Sequence, residues 1–245
     1  MTSLDNVVSK KTLHRIISDI SDIIKNPLHE HGIYYEHDEE NILMGYVLVI
    51  PQITDSPYKY GNYLFTIEYP TNYPYSPPKM KYVTNNRTTR FHPNLYRNGK
   101  VCLSLLNTWK GEQWTSCNTL SSILLNITTL FTDKPLLHEP GIHEQHESLN
   151  DYTEIIKYQN INTAIYEVLT NIIYLEQMKG AKEQFKKVII GNYKKYSSQI
   201  IKYVEDMSKN NKDIVVHVPF YKMYNENLDY KELYVKLKEY NNNIL

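Results

Sequence analysis

The residues best suited to chemistry lie in "FHPNLYRNGKVCLSLL", Phe91 to Leu106, where His92, Pro93 and Asn94 precede Cys102, one of only two cysteines in the chain. An ordinary thiol, with a pKa of about 8.5, is a few per cent thiolate near neutrality and already a good nucleophile. Three readings of Cys102 are open. It can be a small buried hydrophobe in the apolar run "VCLSLL", the usual fate of a single cysteine. It can be half of a Cys/His pair with His92, or a nucleophile served by some other group. The pair reading implies a cysteine hydrolase, yet no triad signature accompanies it, and a histidine beside a proline more often shapes a turn than acts as a base. Cys117, in "WTSCNTL", reads as an incidental thiol.

A second concentration of chemical groups is "HEPGIHEQHE", His138 to Glu147, with three histidines and three glutamates. His143 and His146 are three apart, which is not the HExxH spacing, and no cysteine ligand is near. The segment reads as a solvated loop, with no metal expected.

The elements that must position these residues follow from periodicity. Lys10 to Lys25 is an amphipathic helix, with Leu13, Ile16, Ile17, Ile20, Ile23 and Ile24 on one stripe and Lys11, Arg15, Asp19 and Asp22 off it. Three strands are read at Met44 to Ile50, Asn62 to Tyr69 and Lys79 to Thr84, with short prolyl links that favour an antiparallel meander. Asn118 and Thr119 are cap candidates for a helix carrying Leu120, Ile123, Leu124, Ile127 and Phe131. A polar loop leads to a helix around Tyr152 to Leu175. Two more helices, within 184–207 and 229–240, are joined by the apolar run "IVVHVPF". This order argues for an α+β fold with helices segregated from the sheet and an α-helical C-terminal extension.

The 245 residues, 41% of them hydrophobic, suffice for a sizeable core, and 27 basic residues balance 27 acidic ones. No overall field favours nucleic acid or an anionic membrane. No signal sequence or membrane span is read, so cytoplasmic or nuclear residence is the expectation, with both cysteines as thiols and the sequons at Asn86 and Asn126 without consequence.

Four motifs in register, "YPYSPP" (Tyr73 to Pro78), "HPN", "GKVCLSLL" and Trp114, resemble the ubiquitin-conjugating enzymes over roughly Lys10 to Leu175. The resemblance is to a large, extended type. It implies the UBC fold, with an N-terminal helix, a four-stranded antiparallel meander and following helices. The implied domains are a catalytic core over 8–178 and a C-terminal helical extension over 179–245 packed on it. Implied partners are an activating enzyme, ubiquitin or a ubiquitin-like modifier, protein substrates and E3 ligases. No cofactor is implied, since ATP is used by the activating enzyme.

On the matching positions Cys102 carries the modifier as a thioester, Asn94 supports the reaction, and His92 and Pro93 shape the turn. Thioester exchange between thiols is nearly balanced, so the protein must supply position and a thiol held in the open. When a lysine attacks, an amide from Asn94 can donate to the developing oxyanion; the same Asn can instead brace the loop. Ser104 stands where many relatives have Asp. Where the family commonly places an acidic group to deprotonate the lysine, the register puts Leu137 or His138, with Glu139 adjacent. Lys10, Lys11 and an exposed Arg15 lie where relatives dock on the activating enzyme, though an ordinary solvated face reads as well. Tyr75 and Ser116 match positions that contact ligases, but the usual Trp-Ser-Pro-Ala is here Trp114, Thr115, Ser116 and Cys117. A non-catalytic scaffold of the same fold is the alternative, against which Cys102 itself argues.

Overall fold

The computed structural model describes residues 8–210 and 214–244; the first seven residues, read above for an export signal, lie outside them. The chain begins with α1 (Lys10–Lys25), whose cap is Ser9, the side chain accepting from the Thr12 amide at 3.1 Å. The helix has the expected ends, but its buried face differs from the expected stripe. Ile17 and Ile24 are 52% and 72% exposed, while Thr12, Ile16, Asp19 and Ile23 are buried. These four lie at i, i+4, i+7 and i+11, a single helical stripe. Asp19 is tolerated there because the Tyr73 hydroxyl and Arg15 Nε both donate to its carboxylate.

Four strands follow, β1 (Ile33–His37), β2 (Met44–Val49), β3 (Tyr63–Glu68) and β4 (Lys79–Tyr82), paired in that order as an antiparallel meander. β1 is the strand that residue patterning left unread. Alternation puts Tyr63, Phe65 and Ile67 of β3 into the main core with α2 (Leu120–Thr128) and α3 (Ser148–Gln159). Leu64 faces the other way, into a second cluster with Tyr46, Leu48 and Val83. Thr119 caps α2, closing a reciprocal pair of bonds with Ser122.

Beyond α3 the helix widens to a π turn over Asn160–Glu167. The Ala164 carbonyl accepts from the backbone and the side chain of Asn62, so the sheet's loop competes for a helical acceptor. Short helices α4 (Val168–Thr170) and α5 (Ile172–Glu176) lead to the long α6 (Lys182–Lys209). Met178, Ala181, Phe185 and Ile189 cover the second face of the sheet. The apolar run expected to link two helices is a strand, β5 (Ile214–Val218), paired with β6 (Met223–Leu228) before α7 (Tyr230–Ile244). Val216, Val218, Met223, Leu228, Leu233 and Leu237 join the same main core as Ile155 and Ile156 of α3. No described helix is long and apolar enough to cross a membrane.

Candidate active site

The stretch after β4 is held by isolated bridges: Lys81 with Lys100 ties it back to the sheet, and Leu95 with Val101 closes it on itself. Its turn needs Gly99, which sits at φ +89° and passes so near β4 that a Cβ would lie 3.0 Å from the Tyr82 carbonyl oxygen. Within this frame Asn94 and Cys102 are joined twice. The Cys102 amide donates to the Asn94 carbonyl at 2.9 Å, and Asn94 Nδ2 donates to the Cys102 carbonyl at 2.8 Å. The Asn94 amide donates to His92 Nδ1 at 2.9 Å. Arg90 completes the turn from outside, donating to the carbonyls of His92 and Pro93.

This geometry separates the open readings. In a neutral imidazole only one nitrogen accepts, and for His92 that nitrogen is already occupied by the Asn94 amide. Burial, then the neighbouring His138 and Arg90, hold the His92 pKa well below its usual value. It is a structural histidine, and the Cys/His pair finds no support. Asn94 braces the loop in this state, while its Oδ1 has no hydrogen-bond partner among the described residues.

Cys102 differs from the expected open thiol, being buried at 1% exposure. Its backbone is paired with Asn94, and a short 3-10 turn, Ser104–Leu106, follows it. Thr108 ties that turn down, its Oγ1 accepting from the Leu103 amide and donating to the Val101 carbonyl. Ser104 is half-buried, and the exposed Gly111 comes so close that a Cβ there would meet the Ser104 Cβ at 3.1 Å.

In the histidine–glutamate segment Gly141, His143, Glu144, Gln145 and Glu147 are exposed, as a solvated loop requires, but its start turns inward. His138 is half-buried, its ring edge-on to His92 with centroids 4.8 Å apart and its Nε2 3.3 Å from Thr132 Oγ1. Burial lowers its pKa, so the ring is neutral at neutral pH. The Glu139 carboxylate accepts the Tyr221 hydroxyl at 2.6 Å.

A family model for ubiquitin-conjugating enzyme matches residues 15–162. The chain belongs to the ubiquitin-conjugating enzyme family. It is 38% identical over 164 residues to ubiquitin-conjugating enzyme E2 Z of Xenopus tropicalis, covering 66% of this chain and 51% of that protein. It is 37% identical over 160 residues to E2 Z of Homo sapiens, covering 64% and 44%. A probable ubiquitin-conjugating enzyme protein 17 of Caenorhabditis elegans is 37% identical over 163 residues, covering 64% and 22%. The chain thus spans about half the length of the E2 Z proteins it matches.

On this member of the family the partner-facing candidates fall into two groups. Lys10 and Lys11 are exposed, Tyr75 is 75% exposed, and Ser116 and Cys117 lie on an exposed loop. Arg15 corrects the expectation of an exposed cation. Its guanidinium donates to Asp19 at 3.0 Å, to the Ser116 carbonyl at 2.7 Å and to the Asn118 carbonyl. It is a clamp between α1 and the loop before α2. Trp114, which donates to the Pro74 carbonyl at 2.7 Å and packs its ring against Tyr73, fixes the other side of that loop. Arg90 and Tyr221 were not singled out from sequence. Arg90 adjoins the "FHPN" motif and a donor beside a turn rich in free carbonyls is a usable signal, whereas nothing local marks Tyr221.

Proposed function

We propose that this chain accepts ubiquitin, or a ubiquitin-like modifier, from an activating enzyme as a thioester on Cys102 and passes it to a substrate lysine. The observation that carries the reading is the double hydrogen bond between Asn94 and Cys102, which sets a nucleophile and an amide donor in one rigid turn. In loading, the Cys102 thiolate attacks the activating enzyme's thioester, a new C–S bond forms and the enzyme's thiolate leaves. In transfer, the lysine nitrogen attacks the same carbonyl, the C–N bond forms, the C–S bond breaks and the amine proton goes to a base or to water. Asn94 supports the oxyanion through its amide, and a neutral donor suits this because it does not titrate. His138, neutral and next to the turn, is the proton acceptor that fits the lysine side. Because Cys102 is buried, loading requires its surroundings to open enough to expose the thiol.

Lys10 and Lys11 serve the activating enzyme, Tyr75 and the Ser116 loop serve ligases, and no cofactor on this chain is needed. The test is a thioester assay with activating enzyme, ATP and ubiquitin, read on a non-reducing gel. A reducible adduct lost in Cys102→Ala but kept in Cys117→Ala supports the reading, and Cys102→Ser traps a reductant-resistant oxyester. An intact adduct in Cys102→Ala sinks it.

A further inference from the structure

We propose that the C-terminal hairpin belongs to the conjugation machinery. Tyr221, at its tip, is a positioning residue that holds the His138–Glu139 loop against the Cys102 turn for lysine attack. The inference rests on Cys102 carrying the thioester.

The tip is a 3-10 turn, Pro219–Tyr221, closed by the Lys222 amide donating to the Pro219 carbonyl at 2.9 Å, with Lys222 at φ +54°. This turn presents one residue to both sides of the site. Towards the loop, the Tyr221 hydroxyl donates to Glu139 Oε2 at 2.6 Å. Towards the catalytic turn, the Tyr221 carbonyl accepts from Arg97 at 2.7 Å, and its ring lies 5.3 Å from the Arg90 guanidinium. Arg90 in turn holds the carbonyls of His92 and Pro93. Tyr152 of α3 closes the circuit, donating to the Arg90 carbonyl at 2.7 Å with its ring 5.7 Å from Tyr221. The adjacent Phe220 ring is 6.4 Å from His146, on the same loop.

A hydroxyl bonded to a carboxylate in a half-buried place is a charge-assisted contact, stronger than a neutral one. Burial, then the nearness of Tyr152 and the bond to Glu139, raise the Tyr221 pKa, so the phenol stays a donor at neutral pH. The bond also occupies the Glu139 carboxylate, which leaves its neighbour His138 to face the lysine. Transfer depends on that loop, because the lysine nitrogen must reach the carbonyl and lose a proton as the C–S bond breaks. Loading does not use the loop, since two thiols exchange the acyl group without a lysine.

The two steps therefore separate in experiment. Protein charged with ubiquitin by activating enzyme and ATP is chased with free lysine, and loss of adduct is followed for wild type, Tyr221→Phe, Glu139→Ala and Glu139→Gln. Charging stays within about twofold, while Tyr221→Phe and Glu139→Ala slow discharge about tenfold. Glu139→Gln, which keeps an oxygen for the phenol, recovers most of what Glu139→Ala loses. Discharge of Tyr221→Phe at the wild-type rate overturns the inference and leaves Cys102 standing. So does an equal fall in charging and discharge, or a Glu139→Gln as slow as Glu139→Ala. A wild type that forms no reducible adduct overturns the Cys102 reading and the inference together.

Discussion

In Asn94 the observed structural bond and the proposed chemistry draw on the same amide. Its Nδ2 is bonded to the Cys102 carbonyl, so removing it loosens the loop and, on the proposed mechanism, also deprives the oxyanion of a donor. Asn94→Ala is expected to slow lysine discharge on the order of 10²-fold and to cost about 1 kcal/mol of stability. Single-turnover discharge and a urea titration read the two effects separately; discharge that falls no further than charging does leaves only the loop role. Buried His92 and the half-buried His138 and His37 add a pH dependence. Burial lowers the pKa of His92, His138 and His37 in the folded chain. Above about pH 6.5 these histidines are neutral folded or unfolded and contribute no slope. As pH falls below that value the unfolded chain binds protons that the folded chain refuses, so stability drops, by at most about 1.4 kcal/mol per pH unit for each group. Urea midpoints at pH 7 and pH 5.5 should differ in that direction, and by less in His138→Gln. At this scale the sequence was most informative where partners are close in the chain, as Asn94 and Cys102 are. It was silent on Tyr221, whose partners Arg90, Arg97 and Glu139 meet it only after the sheet and α3 have formed.

Among the elements, α1 was legible end to end because a Ser cap and a 3.6-residue period both survive in the local sequence. Its rotation was not, because the tertiary partners of Asp19 decide which face turns inward. β1, "IYYEH", ends on polar residues and shows no clean alternation, so it declared itself only by pairing with β2. The hairpin was hidden for a related reason, since β6, "MYNENL", is too polar to read as a strand without β5 beside it. Arg15 makes the rotation of α1 testable. Arg15→Ala removes the donor to buried Asp19 and frees the Ser116–Asn118 loop, and should cost about 2 kcal/mol in urea unfolding. Arg15→Lys should recover little, because one ammonium cannot reproduce the guanidinium's spread of donors to three acceptors. Lys10→Glu combined with Lys11→Glu should leave stability within about 0.5 kcal/mol. A slower charging rate in that double variant would then report a lost docking surface and not a lost fold.

For the whole molecule the question is whether the C-terminal extension is an attachment or part of the folding unit. Sequence order placed a boundary near residue 178, because the family motifs end before it and patterning cannot show which face of a sheet a distant helix covers. In the structure Leu64, Tyr46 and Leu48 of the sheet share a buried cluster with Phe185 and Ile189 of α6, all of them inaccessible or nearly so. The hairpin and α7 complete the main core on the other side, through Val218, Met223 and Leu237. Removing the α6 side chains would therefore strip much of the cover from one face of the meander, leaving only Val168, Tyr174, Leu175, Met178 and Ala181 of that cluster outside the sheet. Phe185→Ala is the sharpest probe, since it deletes a fully buried ring without touching the active-site loop. It should destabilise the protein by about 3–5 kcal/mol. Because the cluster is shared, Trp114 fluorescence and helical circular dichroism should shift together to the same lower urea midpoint, in one transition. If helical signal is lost first while Trp114 stays buried to the wild-type midpoint, the extension folds as a separate unit and the boundary near residue 178 is energetic as well as sequential.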